Sequence, residues 1–201
     1  MARALLVIDV QESFRQRPLW NAISNPAIAD DVARLVDGVR AGGDLVVWIL
    51  HTEPGTGGPF DPASGHVRLI APLAPRAGEP VFSKTSHNAF TTTGLQQLLT
   101  QHGITELVIC GIRTEQCCET TARVASDLGY QVTFVTGATA TNPIAHRDTP
   151  PEQTVAELLA DPRTLSASTV IERTEYALAG RFATISTIEE VIRTPTALTR
   201  P

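Results

Sequence analysis

The chain has 201 residues, of which 42% are hydrophobic and 18% charged, with a net charge of −5. That length suits one domain spanning residues 1–201, and the acidic balance with scattered Lys and Arg excludes a nucleic-acid partner, whose phosphates demand clustered cations. No stretch reaches the roughly 18 apolar residues of a membrane span, residues 1–10 are too short for a secretion signal, and three cysteines build no disulfide framework, so the expected compartment is the reducing cytoplasm.

Residues 4–8 form a continuous apolar run that ends at Asp9, as a strand buried on both faces reads. Ligands of open parallel sheets bind beyond the C-terminal strand ends, so Asp9 is either a site residue or a turn-capping acid. A loop holding Phe14 and Trp20 follows, then Ser24-Asn25-Pro26 opens a helix whose apolar positions run to Gly42-Gly43. Residues 45–50 are a second buried strand.

Residues 51–80 are a Gly- and Pro-rich loop, long enough to suggest a pocket wall, with a short helix expected at 67–73. His51, Glu53, Asp61 and His66 have ligand chemistry, but their spacing matches no metal signature, and no metal or cofactor is assigned. Residues 81–83 form a short strand delivering Lys84 to the same sheet edge, and residues 95–101 a helix. The run at 107–110 passes through Gly111 into a turn, then a helix whose first turn carries Cys117 and Cys118.

Further along, residues 131–135 read as a strand closed by Thr136-Gly137, Pro150-Pro151-Glu152 as the start of a helix through Leu159, and residues 167–179 as another helix. A last strand at 182–185, a helix at 188–192 and a polar tail complete the chain. This alternation predicts an α/β fold: a doubly wound, mostly parallel sheet of about six strands with helices on both faces, a Rossmann-like three-layer sandwich.

Three strand ends thus bring Asp9, Lys84 and a thiol to one edge. A carboxylate can take a thiol proton, an ammonium can favour the thiolate, and a thiolate can attack an electrophilic carbon. A helix start favours the anion further and offers unpaired N–H groups to an oxyanion. Cys118 shares an apolar stripe with Ala122 and Ala125, as a small buried hydrophobe would, and Cys110 ends a buried strand. Cys117 lines up equally with Thr121 and Val124, so periodicity does not choose between the two thiols.

Residues 4–11 (Ala-Leu-Leu-Val-Ile-Asp-Val-Gln), Lys84 with Asn88-Ala-Phe90, residues 111–123 (Gly-Ile-Arg-Thr-Glu-Gln-Cys-Cys-Glu-Thr-Thr-Ala-Arg) and residues 127–132 together resemble the isochorismatase-like cysteine hydrolases. The resemblance implies a catalytic triad of Asp9, Lys84 and Cys117, and a cis peptide between Ile112 and Arg113 that aims the N–H groups of Arg113 and Cys117 at an oxyanion. It implies hydrolysis of an amide or ureido C–N bond of a small-molecule substrate, with a vinyl-ether hydrolase, or a binding or redox-sensing protein, as alternatives. It also implies a homo-oligomer. Phe14, Trp20, Phe90 and Arg113 are the expected substrate contacts, Arg113 either meeting a substrate carboxylate or facing solvent. Where nicotinamidase-like members carry an Asp-x-His metal motif, this chain has His51-Thr-Glu53, which speaks against zinc and against nicotinamide.

Overall fold

The computed structural model describes residues 2–193, so the polar tail lies outside the described residues. Its strands are β1 (Ala2–Ile8), β2 (Leu45–His51), β3 (Val81–Lys84), β4 (Ile104–Ile112), β5 (Gln131–Ala140) and β6 (Thr184–Ser186). The helices are α1 (Ile28–Ala41), α2 (Leu95–Gln101), α3 (Glu119–Asp127), α4 (Val155–Ala160), α5 (Ala167–Leu178) and α6 (Ile188–Arg193). The strands lie in the order β3-β2-β1-β4-β5-β6, each neighbouring pair parallel. The chain therefore winds outward from β1 to β3, returns through α2, and winds outward again from β4. The order reverses between β1 and β4, where the crevice beyond the strand ends is the expected ligand position in such sheets.

Alternate strand residues feed two cores, because side chains on a strand point to opposite faces. Leu5, Val7, Val46 and Trp48 pack with Val32, Leu35, Val36 and Val39 of α1 and Val191 of α6. Leu6, Ile8, Val47 and Ile49 pack on the other face with Leu95 and Leu99 of α2, Ala122 and Ala125 of α3 and Leu178 of α5. The expected doubly wound fold is thus the observed one, with helices on both faces of the sheet.

Several expected boundaries shift for local reasons. Asn25 does cap, accepting the Ala27 N–H at 3.0 Å, but it caps a turn, and α1 begins at Ile28. Residues 67–73 are not helical: Leu69 bridges Gln11, the Ile70 N–H donates to the Val10 carbonyl, and Pro72 interrupts the segment. Thr136-Gly137 marks an irregularity rather than an end, since β5 resumes against β4 with Thr139 opposite Gly111 and the Thr139 hydroxyl donates to the Thr136 carbonyl at 2.9 Å. Pro150-Pro151 stays outside α4, which starts after the reciprocal capping of Thr154 and Glu157. The last strand falls at Thr184–Ser186 rather than 182–185.

Gly111 has the structural demand of a close approach. Its φ is +131°, and a β-carbon there would overlap the backbone of Ile8. Only glycine lets β4 approach β1 so closely immediately before Asp9.

Candidate active site

Asp9 is the first residue beyond β1 and adopts a φ of 55°, the left-handed region that asparagine and aspartate tolerate better than most residues. Its N–H donates to the Ile49 carbonyl at 2.8 Å, so the residue is anchored to β2. Gln11 fastens the same loop: its amide donates to Ser13 Oγ and to the His51 carbonyl, and accepts the His51 N–H at 2.8 Å. Lys84 is the last residue of β3, and the loop after it is tied to α3 by the Ala89 N–H donating to Thr121 Oγ1.

Beyond β4 the Ile112–Arg113 peptide is cis, as the resemblance implied. The next turn, Thr114–Cys118, is π-helical and leads directly into α3. It is pinned to the end of β5, where Thr114 donates to Thr139 Oγ1 at 2.9 Å and the Thr141 hydroxyl donates to Glu115. Cys118 is fully buried beside Ala122 and Ala125, whereas Cys117 keeps 7% of its surface. The structure thereby separates two thiols that periodicity left equivalent: Cys117 lines a cavity and Cys118 packs in the core.

The three strand ends do converge. Lys84 Nζ lies 2.8 Å from Asp9 Oδ2 and 3.4 Å from Cys117 Sγ, with the Lys84 and Asp9 side chains wholly buried. The same nitrogen is 3.1 Å from the Ser86 carbonyl and 3.4 Å from His51 Nδ1. An ammonium has three protons, so these four neighbours share them, and His51 Nδ1 must be the unprotonated acceptor.

Charge in this enclosed site is set mainly by desolvation. Burial raises the Asp9 carboxyl above its usual range, although Lys84 opposes it. Burial pulls Lys84 down, but Asp9 and Cys117 outweigh it and hold the ammonium charged. The Cys117 thiol is pushed up to about 12 by burial and then by the Asp9 carboxylate, with the pull of Lys84 the smaller effect. Lys84 and the helix start favour the thiolate, but burial and the Asp9 carboxylate outweigh them, so the resting group is a thiol whose proton Asp9 can take as base. Comparing the ultraviolet spectra of wild type and Cys117→Ala at about pH 7 should show no thiolate band. A band at that pH would contradict this charge assignment.

His51 is kept neutral by burial and by the neighbouring ammonium, and its Nε2 faces Glu53 Oε1 at 3.5 Å. Asp61 is occupied, accepting the N–H groups of Gly57 and Ala63. Among the described residues no three His, Cys, Asp or Glu side chains come together as a metal site.

A cavity of about 240 Å³ opens over Asp9 and Cys117. Phe14 and Phe60 form an aromatic wall, their rings edge to face at 4.9 Å, while His51, Glu53, His87 and Gln116 supply polar groups and Arg17 and Arg113 two guanidiniums. Of the expected substrate contacts, Phe14 and Arg113 line this cavity. Two other expected contacts are corrected: Phe90 stacks on Tyr130 within the core between the sheet and α2/α3, and Trp20 lies under Arg15 against the α1-side core. Neither lines the cavity. Phe60 belongs to the loop expected as a pocket wall, whereas Arg17, His87 and Gln116 carry no periodic signal and were not expected there. A larger depression of about 370 Å³, around Glu106, Gln131 and Phe182, sits at the N-terminal ends of β4 and β5, away from these groups.

Known proteins supply an independent comparison. A family model described as Isochorismatase domain matches residues 3–157. Streptothricin hydrolase of Streptomyces noursei is 39% identical over 145 residues, covering 69% of this chain and 54% of that protein, so the likeness spans only about half of the relative. Nicotinamidase 3 of Arabidopsis thaliana is 32% identical over 153 residues, covering 69% and 73%. An isochorismatase crystal structure from Pseudomonas putida superposes with a TM-score of 0.80 at 28% identity, covering 94% of this chain and 89% of the other. The matched region runs from β1 into α4 and contains Asp9, Lys84 and Cys117; the chain belongs to the isochorismatase family, whose members are hydrolases.

Proposed function

We propose that the protein is a cysteine hydrolase that cleaves an amide or ureido C–N bond of a small molecule, with Cys117 as nucleophile, Asp9 as general base and acid, and Lys84 as electrostatic partner. The observation that carries this reading is the single ammonium, Lys84 Nζ, within reach of both Asp9 at 2.8 Å and Cys117 at 3.4 Å on the cavity floor. Relatives named streptothricin hydrolase and nicotinamidase accord with it.

The charge state described above dictates the order of steps. With the thiol protonated at rest, Asp9 takes its proton as sulfur attacks the carbonyl carbon, so a thiolate forms only as the C–S bond does. The ammonium of Lys84 offsets the charge moving between carboxylate and sulfur. The developing oxyanion is assigned to the backbone N–H groups of Arg113 and Cys117. Asp9 then returns the proton to nitrogen, the C–N bond breaks, and ammonia or an amine leaves a thioester. Water attacks that thioester, giving one proton to Asp9; the C–S bond breaks, the sulfur recovers its proton and the acid is released. One water is consumed per bond cleaved. The cavity volume favours a small substrate, since sites for drug-sized ligands run from about 300 to 1,000 Å³.

A substrate panel tests the reaction class. Small primary amides, ureido acids and lactams are offered beside an enol-pyruvyl vinyl ether, with products followed by mass. The expected result is C–N cleavage in at least one member. Cleavage of the vinyl ether with none of the C–N compounds consumed would overturn the reading.

A further inference from the structure

Arg17 and Arg113 both line the cavity, and neither has a carboxylate within ion-pair distance among the described residues. By contrast Arg3, Arg40 and Arg123, also partly buried, each hold an acid at 2.6 or 2.8 Å. The Arg113 Nε is buried with no hydrogen-bond partner, which is costly for a group that cannot give up its charge. Arg17 lies over the Phe60 ring at 4.7 Å, so the aromatic wall holds the guanidinium in place without neutralising it. The two guanidiniums are near enough to repel, since Arg17 contributes to lowering Arg113 after burial. Two acids are nearby. Glu115 attracts Arg113 from beyond ion-pair distance, accepting the Thr141 hydroxyl on Oε2 while its Oε1 is buried without a partner, and Glu53 lines the cavity beside His51.

We infer that Arg17 and Arg113 form an anion subsite, and that the substrate carries a carboxylate alongside the C–N bond presented to Cys117. A guanidinium fork matches a carboxylate in two parallel hydrogen bonds, and such a ligand would supply the acceptor that Arg113 Nε lacks while relieving the repulsion between the two cations. The cavity of about 240 Å³ fits a short ureido or amide acid in which the two functions are a few bonds apart. The inference rests on the proposed C–N hydrolysis only for the second half of that substrate; the carboxylate half rests on the two unpaired guanidiniums.

Calorimetric binding separates the two. The intact protein is titrated with ureidoacetate and succinamate, and with their neutral primary amides, ureidoacetamide and succinamide. Wild type should bind at least one acid about tenfold or more tighter than its neutral counterpart, a preference that weakens with salt. Arg113→Gln and Arg17→Gln should each remove most of that preference, the acid losing far more affinity than its neutral counterpart, and Arg113→Lys should restore the preference only in part. Equal affinity for acid and amide in wild type, no binding of either acid, or a preference that survives in both Gln variants would overturn the subsite. A variant that loses the preference must keep the wild-type melting temperature, so that a folding defect is not read as lost recognition. Acid-selective binding without any cleavage would keep the subsite and count against the hydrolytic reading.

Discussion

Replacing Cys117 with alanine should lower kcat on any hydrolysed substrate by about 10⁴-fold or more while the fold persists, because loss of a covalent nucleophile removes the reaction path itself. The substitution deletes one sulfur at a position still 7% exposed, and a stability change within about 1 kcal/mol is expected. Cys118→Ala is the matched control. That sulfur is fully buried among Ala122, Ala125 and Leu178, so its removal should cost stability through a small cavity and leave kcat within about threefold. Activity lost with Cys118 and kept without Cys117 would reverse the assignment.

The second large effect is expected at Lys84. Lys84→Met keeps the length and apolar stem but removes the only cation within 4 Å of the Asp9 carboxylate among the described residues, leaving a wholly buried acid without its partner. Breaking such a pair costs about 3–5 kcal/mol. Asp9 is already raised by burial, and without the ammonium it rises further. Between the ordinary aspartate range and that raised value, the folded chain binds a proton that the unfolded chain does not. Stability therefore falls as pH rises through this window, and the deficit against wild type should be larger at about pH 7 than near pH 5. Denaturant unfolding at the two pH values checks it; an equal deficit at both would show that the charge of Asp9 is not responsible. Activity should be lost in the same variant, since no cation then offsets the charge that moves between the carboxylate and sulfur.

The convergence of Asp9, Lys84 and Cys117 was legible in the chain because parallel strands place their C-terminal ends on one edge, so an acid, a lysine and a thiol far apart in sequence need only follow three apolar runs. Strand existence was legible for the same reason, whereas strand limits were not. The length of β5 depends on an irregularity opposite Ile109 and Gly111 that local composition does not encode. The non-helical path of residues 67–73 is set by pairing with the loop after β1, a tertiary interaction that overrides local pattern. That burial outweighs Lys84 and the helix start at Cys117 was not legible, because a helix start is visible in sequence and the depth of burial is not. Arg17, Phe60 and His87 reach the cavity from loops, where no period predicts direction, and Phe90 shows the converse, an aromatic beside a motif that packs in the core.

The central claim is that turnover passes through a covalent thioester on Cys117. Acid-quenching the enzyme during steady turnover and mapping its peptides by mass should place an added acyl group on Cys117, with none on Cys118 or in Cys117→Ala. An acyl group mapped to another side chain, or undiminished turnover in Cys117→Ala, would contradict it.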